Sequence, residues 1–493
     1  MKNIFAISAL VIALISCDKQ MEEMNTNPLA LSKLPDEYLF TTAVRETFGG
    51  GGYISPFHMR FTSQYAHIYV TNSENRSADG YQDFHTQDIY KEMFSTTYVG
   101  SLRYINEVIL MTSEGERKNP VRNAMANIVA VVNYAQATDC WGDIPYFEGA
   151  WGTKGILYPK YDKQELIYRD MLDRLKLAIG VLKTANPKDG YEGTDPVYNN
   201  DLTKWIRFAN SLRLRMAMKI RFADAENSAK VISECLAEPL IEINDQNFEL
   251  KHQDSENGEL YNPWYDVRKY QNFKMSEKFT SWLISTKDPR LKILIQPNSK
   301  GEFRGVPNGL NDQAYSLVDW TSLSNPMPVL YSKSLSQYLM CASEIWFLRA
   351  EAVLFNLATG DASQFYKQGI RLNMMLWNTD PDSIQAYLDQ TPEAILTGTQ
   401  ENRFRQISTQ MWIAFIPNFT EAWINIRRTG YPEIPQRTDA AKYSLGVTNG
   451  ILPKRFKYAS SEYLNNLANV TEAVNRQGPD KIDTAIWWDV RDK

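Results

Sequence analysis

Cysteine and histidine are scarce, with four of each in 493 residues. Cys17, Cys140, Cys235 and Cys341 are widely spaced and form no C-x-x-C pair, which excludes a zinc knuckle and a disulfide framework. His58, His67, His85 and His252 build no H-E-x-x-H, and the first three fit no metal-ligand spacing. Walker A, G-x-S-x-G and dinucleotide G-x-G-x-x-G turns are missing, and the Gly49 to Gly52 run lacks the Lys and Ser/Thr of a phosphate loop. Charge of one sign is lacking too. A net charge of -5 leaves no basic patch for nucleic acid and no concentration that marks uronic or sulfated sugars as ligands.

Apolar runs of the ~20 residues needed to span a bilayer are absent as well. The run ending in "ALVIALISCDKQ" sits behind Met1 and Lys2, which is the layout of a secretory signal peptide without an A-x-A cleavage end. Leu14-Ile15-Ser16-Cys17 resembles a bacterial lipobox. The expectation is a leader at 1–16, a lipidated Cys17 that anchors the mature chain without a spanning helix, and a polar tether at 17–35.

What the sequence has is length, aromatics and helical periodicity. The chain exceeds the ~250 to 300 residues at which one compact core stops growing, so several domains or a repeat-like architecture is expected. The 12 Trp and 27 Tyr supply either a binding surface or a generous core. In "YDKQELIYRDMLDRLKLAIGVLK", Asp162 reads as an N-cap, Glu165 as its capping-box partner, and Tyr161 with Leu166 as a hydrophobic staple. "KWIRFANSLRLRMAMKI" sets Trp205, Phe208, Leu212, Met216 and Ile220 on one stripe, with Arg207, Arg213, Arg215 and Lys219 mostly off it, as in an amphipathic helix. The segment from Glu344 to Trp377 reads as a tetratricopeptide-type hairpin turning at Gly360-Asp361.

Period-2 strand patterns are sparse. Aperiodic stretches at Gly49 to Asp88, Thr184 to Asp201, His252 to Phe273, Pro297 to Pro328 and Asn378 to Asn402 punctuate the helices. The fold expected is all-α: tetratricopeptide-like helical pairs forming a scaffold over 36–493, with long irregular ligand-binding loops and few short strands. Asp139 and Asp143, four apart, offer a carboxylate pair for glycosidic chemistry. Beside Gly142 and Pro145 they read better as acceptors for backbone amides in a turn.

"ATDCWGDIPYFEGA" resembles the T-D-x-x-G-x-x-P-Y signature of the SusD/RagB family of outer-membrane nutrient-binding lipoproteins. The likeness runs on through "KWIRFANSLRLRMAMKI", "STKDPRLKIL", "EIWFLRAEA", "AWINIRRTGYPEI" and the closing "WWDV". It implies a helical scaffold with loops on one face, lying as a lid over a SusC-like TonB-dependent β-barrel transporter. It also implies a surface-exposed position on the outer membrane through a lipid anchor, an oligosaccharide or peptide ligand, and neither catalysis nor a cofactor. By the same resemblance the Gly-Asp-Ile-Pro run ends a helix, and Arg427 and Arg428 pair with carboxylates or helix carbonyls.

Binding sugar rings needs aromatic platforms flanked by amide, carboxylate or guanidinium groups. "ELYNPWYDVRKYQNF" offers Tyr261, Trp264, Tyr265 and Tyr270 among Asn262, Asp266 and Arg268. Tyr53, Tyr69, Asn72, Tyr81 and Asp83 form a second group, and Trp320 stands third. The ligand-contact candidates are therefore Tyr69, Tyr81, Tyr261, Trp264, Tyr265 and Trp320, although core packing competes for each aromatic.

Overall fold

A computed structural model describes residues 34–48, 56–71, 76–83, 89–258, 260–266 and 273–491. The leader at 1–16, Cys17 and the tether as far as residue 33 lie outside the described residues, as do Tyr53, Asn72, His85, Arg268 and Tyr270. Among the described residues no helix is long and apolar enough to cross a membrane.

Helices dominate, in chain order α1 (Asp36–Phe48), α2 (Pro56–Tyr65), α3 (Arg103–Ser113), α4 (Pro120–Trp141), α5 (Gln164–Lys183), α6 (Leu202–Lys219), α7 (Ala225–Leu236), α8 (Glu277–Ser285), α9 (Ala342–Leu354), α10 (Ala362–Leu376), α11 (Gln400–Ala414), α12 (Phe419–Thr429) and α13 (Leu467–Gln477). Successive helices from α3 to α7 pack on one another, as do α9 and α10, and α11 and α12. This is the stacking that lets repeat units bury faces they cannot bury alone. The turn between α9 and α10 falls at Gly360-Asp361 as the sequence suggests, with the Asp361 carboxylate accepting the Ser363 and Gln364 N–H groups at 2.8 and 3.2 Å.

Among the described residues six short strands form three two-stranded antiparallel ladders: β1 (Tyr69–Thr71) with β3 (Phe273–Met275), β2 (Phe248–Leu250) with β6 (Gln337–Met340), and β4 (Ile295–Gln296) with β5 (Asn325–Pro326). In the first, Tyr69 faces Met275 and Thr71 faces Phe273. One large apolar core runs through the helices. A small satellite core of Val70, Val306, Leu310 and Leu323 lies under the loops.

The basic face of α6 departs from the amphipathic reading. Arg213, Arg215 and Lys219 are all buried. The Arg215 Nε and Nη2 both reach the Glu344 carboxylate of α9 at 2.5 Å, while the Lys219 ammonium holds Asp139 of α4 at 2.6 Å and Glu421 of α12 at 3.1 Å. Arg428 forks onto Glu351 at 2.6 and 2.8 Å, and Arg221 adds a third bond to the same carboxylate at 2.9 Å. Arg427 instead donates to the carbonyls of Asp139 and Lys454. Charges spaced along one helix thus become an ionic spine joining four, because each finds a partner that offsets its desolvation.

The start of α5 differs as well. Lys163, not Asp162, stands at its cap position. The first N–H, on Gln164, is capped at 2.9 Å by Asp143, and Asp162 turns back to accept the Tyr146 and Phe147 N–H groups. Leu166 is exposed, so no staple with the buried Tyr161 forms. Several of the aperiodic stretches hold regular structure, and Pro297 to Pro328 carries a short helix at Asp312–Ser316 and β5. Asn378 to Asn402 contains a helix at Pro381–Gln390, started by Asp380 as N-cap and Pro381 at N1, and Gly49 to Asp88 contains α2 and β1.

Candidate functional site

Neither carboxylate of the "TDCWGD" turn is available for catalysis. Asp139 is fully buried, receiving Lys219, the Trp488 indole N–H and the Tyr168 hydroxyl. Asp143 is spent on the Gln164 N–H and on Arg476 at 2.7 Å. Gly142, at φ +82°, ends α4 by returning its N–H to the Thr138 carbonyl at 2.7 Å. Asp143 thus accepts a backbone amide as the sequence suggests, whereas Asp139 accepts side-chain donors only.

The loops gather around β1. Its alternating side chains serve two cores: Tyr69 packs on Phe273 and Phe419, with centroids 5.3 and 4.9 Å away, and Val70 enters the satellite core. Over that satellite core three segments meet, residues 76–83, 302–324 and 437–450. Asp79 ties them together. Its carboxylate accepts the Asn308 amide at 2.8 Å and the Gly309 N–H at 2.7 Å, and its carbonyl accepts Arg437 at 2.6 Å. Burial pushes the Asp79 carboxyl up from its usual range, against the pull of Arg437 and the Gly309 and Asn308 donors. Asn308 also donates to the Tyr69 carbonyl at 3.0 Å and accepts from Ser276, fixing the loop to the β1–β3 ladder. Gly309 sits at φ +76°, where a Cβ would lie 2.0 Å from the Arg437 guanidinium carbon.

On this base stands an aromatic platform. Tyr315 and Trp320 lean together with centroids 4.6 Å apart, and the Arg76 guanidinium lies 3.6 Å over the Tyr315 ring while pairing with Asp312. Both rings are half-buried, with Leu317 exposed between them. Beside them opens a polar cavity of about 330 Å³ lined by Arg76, Asp79, Gln82, Asn311, Asp312 and Ser444. Partial burial raises the Tyr315 hydroxyl pKa, Arg76 opposing, so the phenol stays protonated and able to donate.

The six aromatic candidates separate by burial. Tyr69, Tyr81 and Trp264 lie in the core at 1, 0 and 3 % exposure, and this corrects their assignment as contact surfaces. Trp264 packs on Phe419 and Tyr331 beside Tyr69. Tyr81 is held between the Arg437 guanidinium, 3.7 Å from its ring, and His67, 3.0 Å from its hydroxyl, and burial pushes that hydroxyl up to about 12. Large rings beside irregular loops are what the loops need as a foundation. Tyr261 and Tyr265 stay half-buried in an edge-to-face pair 5.6 Å apart, with the Lys333 ammonium 4.9 Å from the Tyr265 ring and Tyr261 bonded to Asp266. Asn262 supports that turn through Lys333, and Asp83 pairs with Lys457 at 2.8 Å. Trp320 is the one candidate found on the platform. Its partners Arg76, Tyr315 and Asp312 escaped the sequence reading, though "NDQAYSLVDW" carries two aromatics five apart behind an Asn311 cap.

Among the described residues no group of three or more His, Cys, Asp or Glu is placed to hold a metal ion. A stacked helical scaffold that presents an aromatic and polar loop face defines a binding protein of the helical-repeat class. The chain belongs to the SusD-like family described as starch-binding and associating with the outer membrane, whose pattern matches residues 28–459. Among solved structures it is similar to a chitin-binding protein, with 25 % identity over 93 % of this chain and 100 % of that one and a TM-score of 0.79. A chitin-binding SusD homolog from Flavobacterium johnsoniae shares the fold at 23 % identity, covering 92 % and 99 % of the two chains with a TM-score of 0.80. A SusD homolog from Bacteroides uniformis matches at 25 % identity over 92 % and 100 %, with a TM-score of 0.74. No curated protein matches the chain.

Proposed function

We propose that the protein is a non-catalytic oligosaccharide-binding lipoprotein of the cell surface, which captures a nutrient and hands it to a SusC-like TonB-dependent barrel. Cys17 carries the lipid, and acyl chains supply the membrane affinity that the described helices lack. The observation that carries the binding reading is the Arg76–Tyr315–Trp320 platform beside a polar cavity. Sugar rings offer flat C–H faces to aromatic planes and hydroxyls to amide, carboxylate and guanidinium groups; Tyr315 and Trp320 supply the first and the cavity beside them the second. Asp79 and Asn308 fix the loops before ligand arrives, so little ordering is spent on binding. Membership of a starch-binding family and likeness to a chitin-binding protein support the ligand class.

Calorimetry with chito- and malto-oligosaccharides tests this. Trp320→Ala and Tyr315→Ala should each weaken the oligosaccharide that binds by about tenfold, the worth of one aromatic contact. Chromatography of the incubated sugar should find it uncut. Shortened products, or affinity unchanged in both variants, would sink the proposal. Cys17→Ala should move the protein to the soluble fraction, and a large barrel should copurify with the wild type.

A further inference from the structure

A second cleft, of about 830 Å³, lies between α8, α11 and the segment 432–439. Its wall adjoins the platform: Asn308 and Tyr443 line this cleft, while Leu310 and Ser444 line the polar cavity. Trp282 is half-buried in it, and Pro432, Ile434 and Pro435 continue an apolar side. Three cations from three distant segments also line it, Lys278, Arg405 and Arg437.

Two of these cations differ from those of the helical scaffold. Arg437 is engaged with the Asp79 carbonyl and the Tyr81 ring. Lys278 and Arg405 have no ion pair and no hydrogen bond among the described residues, although both are half-buried. Burial lowers the Lys278 ammonium pKa, and Glu433 opposes that only in part. His67, also in the lining, is held well below its usual range by burial and by Arg437 and Lys278, and so stays neutral. The acidic lining residues, Glu277, Glu433 and Asp439, are the exposed ones. Lys278 and Arg405 therefore face the cleft half-buried with no carboxylate of the described residues at ion-pair distance, while exposed carboxylates able to accept hydroxyls line the same cleft.

We propose that this cleft is a separate subsite for an acidic sugar unit, one carrying a carboxylate or a sulfate. Its anion pairs with Lys278 and Arg405, its C–H face lies on Trp282, and its hydroxyls donate to Glu433 and Asp439. The class of ligand rests on the saccharide reading above. The site itself does not use the Tyr315–Trp320 platform.

Calorimetry at about 20 mM and about 300 mM salt separates the two sites. The probes are tetragalacturonate, which bears carboxylates only, a carrageenan tetrasaccharide bearing sulfates only, and neutral chitotetraose. At least one acidic probe should bind at low salt, and the arm that binds identifies the anion. That binding should fall at least tenfold in Lys278→Met/Arg405→Met and at the higher salt, and persist in Tyr315→Ala. Methionine keeps the side-chain volume, and unchanged chitotetraose binding in the double variant reports its folding. If neither acidic probe binds, or if binding survives the double variant, the subsite is overturned. Acidic binding with no neutral binding anywhere would instead overturn the platform and leave this cleft standing.

Discussion

The ionic spine and the second cleft use the same residue types in opposite ways. In the spine Arg215, Lys219, Arg221 and Arg428 are almost wholly buried, and each reaches a carboxylate within 2.9 Å. In the cleft Lys278 and Arg405 are less buried and reach none among the described residues. A buried charge is tolerable only when its partner is built in, whereas a half-buried one facing a cavity can wait for a partner that arrives. The spine therefore contributes to folding and register, and the cleft contributes an interaction left incomplete.

The comparison predicts a descending series of effects on stability. Glu351→Ala should be the most damaging, because it strands Arg221 and Arg428 in the core. A loss of about 3–5 kcal/mol in chemical unfolding is expected. The same contrast extends to pH. Burial alone raises the carboxyl pKa of Glu351 and Glu421, but Arg428 and Arg221 beside the first, and Lys219 and Arg215 beside the second, bring both below the usual value of 4.5. Carboxylates with lowered folded pKa values stabilise above the unfolded value and lose that contribution as pH falls through the folded one. Melting temperature should therefore drop below about pH 4.5 on their account, opposed in part by Glu344, whose carboxyl pKa burial raises despite Arg215, and Glu351→Gln, whatever its own stability, should show a shallower acid limb. A wild-type curve flat through that range would deny the spine its role.

Gly309→Ala comes next. The new methyl meets the Arg437 guanidinium and the residue must hold positive φ, so a loss of about 1–2 kcal/mol is expected, with weakened binding at the platform. Lys278→Met should be smallest, within about 0.5 kcal/mol of wild type by thermal melt. A large destabilisation there would mean that Lys278 is a structural cation after all, and the contrast between the two regions would vanish.

The helical architecture is readable because it rests on local signals: 3.6-residue periodicity in α5 and α6, and turn residues at Gly360-Asp361 and Gly142. Boundaries failed where a distant group took over a local task, as when Asp143 capped α5 in place of Asp162. The helix at 381–390 is signalled locally by Asp380 and Pro381, within a stretch whose apolar residues are too few to mark it by period alone. For the aromatics, sequence supplied the inventory and not the exposure. Trp264 and Tyr265 are neighbours in the chain, yet one is in the core and the other half-exposed.

By itself the sequence determined the helical scaffold, the likeness to a surface-binding family and the expectation of a lipid at Cys17, because periodicity, caps and short motifs are written in contiguous residues. Tertiary structure alone decided which charges are paired. Arg215 and Glu344 are 129 positions apart in the chain and bonded in space. Lys278, Arg405 and Arg437 are equally scattered and line one cleft. Electrostatic energy depends on separation through space and on burial, and neither is recorded in the order of residues.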